Sequence, residues 1–174
     1  MDRRAFGTTM LLGALGAAAA PALAQDRFGA PMGPMGPAER RHAMDTLMVG
    51  NVALQTSELA LSRAARPQVR QFAELEAEEQ RTVAQIINEM TGGAMPPPPP
   101  SPADARMMAS LQRARGGQFD RMYLVGQVDG HRRLLDIQER YLRDGRNLHH
   151  RHIAMLARGR IQEHLRDLQR LDRL

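Results

Sequence analysis

Residues 119–141 read Phe-Asp-Arg-Met-Tyr-Leu-Val-Gly-Gln-Val-Asp-Gly-His-Arg-Arg-Leu-Leu-Asp-Ile-Gln-Glu-Arg-Tyr. Phe119, Met122, Tyr123, Leu134, Ile137 and Tyr141 recur in the 3.6-residue phase of a helix with one apolar face. Asp144-Gly145 closes the segment. Beyond it, Ile153, Leu156, Ile161, Leu165, Leu168 and Leu171 form the stripe of another long helix, from about residue 148 to the end. Toward the N-terminus, Gly116-Gly117 stops a short helix over 103–115 that begins at Ser101-Pro102. Pro96 to Pro100 and Pro102 make a stiff polyproline II spacer within a linker over 92–102, read as a crossover rather than as a proline-rich ligand. Pro67 opens a helix that runs to about residue 90, with Val69, Phe72, Ala73, Val83, Ile87 and Met90 on its face and Thr91-Gly92-Gly93 ending it. Before it, Met44, Leu47, Met48, Leu54 and Leu61 mark a helix over about 39–65. No segment alternates as a strand does, so the class is all-α: four long amphipathic helices, with a short extra one in the crossover between the second and third. Gly50, Gly126, Gly130 and Gly159 lie inside these patterns, where they weaken the helices and let neighbours approach closely.

The 174 residues allow one domain with a sizeable core. With no cysteine in the chain, disulfides, iron–sulfur clusters and thiol nucleophiles are excluded, and any metal must use His, Met or carboxylate ligands. Every basic residue is arginine, and 24 basic against 19 acidic groups leave a formal charge of +5. The acidic residues are interspersed with the arginines and only two Tyr and four Phe are present, so no basic stripe interleaved with aromatics supports nucleic-acid binding.

Arg3 and Arg4 precede an apolar run over about 7–20, and Ala22-Leu23-Ala24 offers small residues at both specificity positions of a signal-peptidase site. The expectation is a signal peptide over 1–24, cleaved before Gln25, and a periplasmic or envelope location. Arg3-Arg4-Ala5-Phe6 resembles a twin-arginine signal, while a general secretory signal also carries positive charge there; both routes stay open. Residues 25–38 form a Gly/Pro/Met leader that cannot sustain a helix, and 39–174 are the helical bundle. Met32 and Met35 in Pro-Met-Gly-Pro-Met-Gly are read as linker rather than as copper(I) ligands.

The informative residues are polar ones on faces that should be buried, since an unpaired buried charge is expensive. Glu58 lies four after Leu54 and three before Leu61, with Asn51 on the same stripe. Glu76 and Gln80 share the face of Phe72 and Val83, and Glu79 sits beside it. His131 precedes Leu134 by three, and His164 follows Ile161 by three. One ionisable group from each of four long helices is how bundle-core metal sites are built, so Glu58, Glu79, His131 and His164 form the candidate metal ligands, with iron, manganese or copper as the candidate ions. Structural hydrogen bonding is the competing account of the same residues. Glu39-Arg40-Arg41-His42 has the Glu-x-x-His spacing of di-iron proteins but stands alone and is read as accidental. His149, His150 and His152 begin a helix after Asn147 and are read as surface histidines.

Four local patterns over about residues 44–171 resemble the bacterial domain of unknown function 4142 family. They are the small-residue region around Gly50 and Glu58; Val69-Arg70-Gln71-Phe72-Ala73 with Glu79-Gln80; Phe119-Asp120, Tyr123, Gln127-Val128 and His131; and Ile153-Ala154 with Ile161, His164 and Leu165. The resemblance implies an exported, ferritin-like four-helix bundle and no defined activity. The family typically has Asp-His where this chain has Glu79-Gln80, and an amide is a poor transition-metal ligand; Gly159 stands where the family often has Pro. A non-enzymatic periplasmic or envelope protein is the leading reading, with a bundle-core metal and a part in envelope stress or metal handling as open additions to it. A ferritin-like redox enzyme and an interaction module contacting anionic lipid or an envelope protein are the alternatives. No hydrolase, phosphate-loop or dinucleotide motif is present.

Overall fold

The computed structural model describes residues 35–93 and 95–173; the expected signal peptide and residues 25–34 of the expected leader lie outside the described residues. The regular structure of the described residues is helical, in the order α1 (Pro37–Arg63), α2 (Pro67–Met90), α3 (Pro102–Arg113), α4 (Gly116–Asp144) and α5 (Leu148–Asp172). Proline opens α1, α2 and α3, where its missing N–H is one the first turn leaves unpaired anyway. Ser101 caps α3 by accepting from the Asp104 N–H, and Asn147 caps α5 by accepting from His149 and His150, each satisfying orphan donors. Gly116-Gly117 does not stop α3 as expected. Ala114 and Arg115 are extended and end it, while Gly116, at φ +57°, opens α4, a conformation that glycine adopts without steric cost.

α1 packs along α2 and α4, and α4 packs along α5; α2 and α5 meet only sparsely and complete a ring of four long helices, with α3 lying against α1 and α4. At one end Val69, Phe72, Leu111, Phe119, Tyr123, Leu124 and Leu168 form the largest apolar cluster. Val49, Leu134, Ile137 and Ile161 form a second, and Ala43, Leu47 and Ile87 a third.

The buried face of α1 is only partly the expected one: Leu47 is buried and Met48 packs against the core. Met44 and Leu61 are exposed and Leu54 is only half-buried, whereas Ala43, Val52, Ala53, Thr56, Ser57 and Ala60 face inward. Small side chains let α1 approach two neighbours closely, and they carry too little hydrophobicity to dominate a periodic pattern. In α5 the expected stripe breaks at Leu156, which is 73% exposed.

Asp120, 1% exposed at its side chain, fastens the α1–α2 turn to α4: its two oxygens accept from the backbone N–H groups of Ala65 (2.9 Å) and Arg66 (3.0 Å). Asp120→Ala strands both donors and is expected to cost about 1.5–3 kcal/mol. Denaturant unfolding checks it, and an unchanged midpoint would show that the turn does not depend on this carboxylate.

Candidate metal centre

Glu76 on α2, His131 on α4 and His164 on α5 converge behind the α2/α5 side of the ring. Their side chains are 0%, 1% and 3% exposed. Glu76 Oε2 lies 3.3 Å from His131 Nε2 and 2.9 Å from His164 Nδ1, and those two nitrogens are 3.1 Å apart. Three ligand atoms around one ion at about 2.1 Å would be separated by about 3.0 Å in octahedral and about 3.4 Å in tetrahedral geometry. Two edges of the observed triangle, 3.1 and 3.3 Å, fall in that range, and the third, 2.9 Å, lies just below it.

The outward-facing atoms decide what the inward-facing ones can do. His131 Nδ1 is 2.8 Å from the Gln127 carbonyl, which only accepts, so Nδ1 carries the hydrogen and Nε2 of the neutral ring presents a lone pair. His164 Nε2 faces the Glu79 carboxylate at 3.5 Å, which favours the hydrogen there and a lone pair on Nδ1. This is the outer arrangement that orients metal-bound histidines. With both inner nitrogens unprotonated, three lone-pair atoms meet in one buried spot and Glu76 Oε2 is left without a donor. A buried polar atom of that kind needs a partner. One proton would serve one edge of the triangle; one cation would serve all three.

The remaining contacts hold the trio in place. Gln80 Nε2 donates to Glu76 Oε1 at 3.0 Å, so the residue at the family's usual histidine position orients a carboxylate. Gly50 makes room for it, since a Cβ there would come within 2.5 Å of Gln80 Oε1. The Phe72 ring centroid lies 5.2 Å from that of His164 and 6.2 Å from that of His131. Gln127 donates to the Thr56 hydroxyl at 3.0 Å, and the Ser57 and Tyr123 hydroxyls pair at 2.9 Å. Gln80→Ala is expected to weaken metal affinity by about 10–100-fold, as losses of outer orienting groups do. A competition titration measures this, and an unaltered Kd would remove Gln80 from the account.

Burial alone would raise the Glu76 pKa, but contact with both histidines outweighs it and holds the carboxyl down at about 2. Burial alone would lower that of His131, yet the adjoining Glu76 carboxylate leaves it above its ordinary value. A depressed carboxyl contributes stability in full above its ordinary 4.5 and loses it as pH falls toward about 2. A raised histidine contributes in full below its ordinary 6.5 and loses it as pH climbs through the raised value. For this cluster the metal-free protein is therefore expected to be most stable between about pH 4.5 and 6.5. Urea midpoints in chelator should decline above that window; a steady rise to alkaline pH would contradict the ion pair.

Of the residues expected from sequence, His131 and His164 meet, and Glu79 borders them. Glu58 does not join them: its side chain is 46% exposed and its carboxylate accepts from Arg81 at 2.7 Å. Its expected inward turn followed from taking Leu54 and Leu61 as the buried face of α1. Glu76 takes the central place instead, and the signal for it was its position on the Phe72 face.

A second buried polar group gathers residues the sequence left aside. His42 Nε2 donates to Gln138 Oε1 at 2.7 Å, Gln138 Nε2 donates to the Thr46 hydroxyl at 3.2 Å, and Tyr141 donates to Glu39 Oε1 at 2.8 Å. His42 Nδ1 accepts from His150 Nδ1 at 3.1 Å. His150 is thus buried rather than on the surface, and Glu39 and His42 both help join α1 to α4. Burial lowers the pKa of both histidines, that of His150 to about 4, which keeps the pair neutral.

No curated protein and no solved structure is significantly similar to the chain. Residues 24–171 match the family described as Domain of unknown function (DUF4142). The convergence of α2, α4 and α5 on one buried carboxylate and two imidazoles is therefore found in a chain that belongs to the DUF4142 family.

Proposed function

We propose that the protein is an exported, ferritin-like helical bundle that holds one divalent transition-metal ion through Glu76, His131 and His164 and serves in metal handling in the cell envelope rather than in catalysis. The observation that carries the reading is the buried triangle that Glu76 Oε2, His131 Nε2 and His164 Nδ1 form, with edges of 2.9–3.3 Å. Two imidazoles and a carboxylate suit borderline ions such as iron(II) and zinc(II) and accommodate the harder manganese(II), and the outer contacts to Gln127 and Glu79 are those that tune such histidines. Ligands projecting inward from several helices are the bundle-core pattern. The burial of all three ligands favours keeping an ion over presenting it to an organic substrate. Export is supported by Ala22-Leu23-Ala24, and the family match begins at residue 24.

Metal analysis of protein taken from its native compartment tests the reading, with one ion per chain expected. Adding the ion back at about 100 times its Kd should stabilise the chelated protein by about 2.7 kcal/mol. Metal-free native protein that gains no stability from iron, zinc or manganese would contradict the proposal. Intact mass should place the mature N-terminus at Gln25, and retention of residues 1–24 would contradict export by cleavage.

A further inference from the structure

The trio lies behind the loosest side of the helix ring. Along α1, small residues such as Ala53 and Ala60 bring neighbouring helices close, whereas α2 and α5 meet sparsely. Long side chains span that seam. Arg160, four residues before His164, donates from Nε to Glu79 Oε2 at 2.8 Å and from Nη1 to Glu163 Oε2 at 2.7 Å. Glu79, three residues after Glu76, is 23% exposed, and Arg160 and Glu163 are 40% and 50% exposed. The same Glu79 oxygen that meets the guanidinium on the solvent side lies 3.5 Å from His164 Nε2 on the inner side. The sequence of groups from solvent inward is thus Glu163 and Arg160, then Glu79, then His164, then Glu76.

Building on the metal reading above, we propose that the α2/α5 seam is the inlet for the ion: Glu79 and Glu163 receive a divalent cation that displaces Arg160, and Glu79 passes it across His164 to the buried trio. Arg160 suits the part of a latch. Its guanidinium donates to both carboxylates and offsets one of their two charges while no ion is present, and an exposed ion pair of this kind holds only weakly, so it yields to a doubly charged competitor. The two carboxylates also place local negative charge on a protein of net charge +5, and local charge of the right sign raises the encounter rate of a cation. A cavity of about 50 Å³ lies on another side, beside Gln80, lined by Thr46, Gly50, Asn51 and Leu54 among others. No charged group lines it, and the Gln80 amide stands between it and Glu76 Oε1.

The test is stopped-flow uptake and release of cobalt(II) by the full mature chain, followed by its absorption bands, with Kd measured separately at equilibrium. Arg160→Gln is expected to speed uptake and release together by on the order of 10-fold, leaving Kd within about 3-fold, because a latch changes the barrier and not the bound state. Glu79→Gln is expected to slow uptake by on the order of 10-fold. Arg140→Gln is the control: it removes a comparably exposed arginine whose partner is Asp45, on the α1/α4 side, and should leave the rates alone. Wild-type protein that binds no cobalt would overturn the metal reading itself. Binding at full stoichiometry with unchanged rates in both seam variants would overturn the inlet alone.

Discussion

Glu76→Gln is expected to lower metal affinity by more than about 100-fold, beyond the range seen when only an outer orienting group is lost, while leaving the fold in place. The substitution keeps the shape of the side chain and replaces the carboxylate at one corner of the triangle with an amide. Glu76 Oε2 is the atom nearest to both imidazoles taken together, at 2.9 and 3.3 Å, so no other group in the cluster can take over its position. Glu76→Ala should abolish binding as well, but it also opens a cavity, and the amide variant separates loss of ligation from loss of packing. Metal titration and thermal melts on the same samples make the comparison. Wild-type affinity in Glu76→Gln would mean that the carboxylate serves only to pair with a histidinium.

Phe72→Ala is expected to destabilise the protein by about 3–5 kcal/mol, a drop in Tm on the order of 10 °C for a domain of this size. Phe72 is 7% exposed and belongs to the largest apolar cluster, with its ring against Tyr123 as well as both site histidines. Its removal takes packing from the core and from the imidazoles at once. Metal affinity should therefore fall along with stability, which distinguishes this site from a core position remote from the trio. Calorimetric melts with and without metal check both effects; an unchanged Tm would contradict the assigned face of α2.

What the sequence disclosed follows from the size of the side chains that carry each pattern. Helices α2 and α4 were legible because Phe72, Ile87, Phe119, Tyr123 and Leu134 are large, apolar and buried, and because Pro67 and Asp144-Gly145 punctuate the chain. The face of α1 was only partly read: Leu47 is buried as expected, but much of the buried face is small, with Ala43, Ala53, Thr56, Ser57 and Ala60, while the larger Met44 and Leu61 are exposed. That error carried Glu58 into the candidate site. His131 and His164 could be found because each interrupts an apolar stripe. Glu76 stood on the right face, but the one-per-helix argument took its neighbour Glu79, and only the three-dimensional placing of α2 relative to His131 and His164 shows which carboxylate reaches them. His42 and His150 were illegible for another reason. They lie near helix starts, where exposure is the ordinary expectation, and 108 residues of chain separate two rings that the fold brings within hydrogen-bond distance.

X-ray absorption at the metal edge of the loaded protein tests the central claim most directly. One ion per chain is expected, with two imidazole nitrogens and at least one carboxylate oxygen at about 2.0–2.2 Å, and with that oxygen's contribution lost in Glu76→Gln. A first shell of water oxygens alone, or one that is identical in wild type and Glu76→Gln, would contradict it.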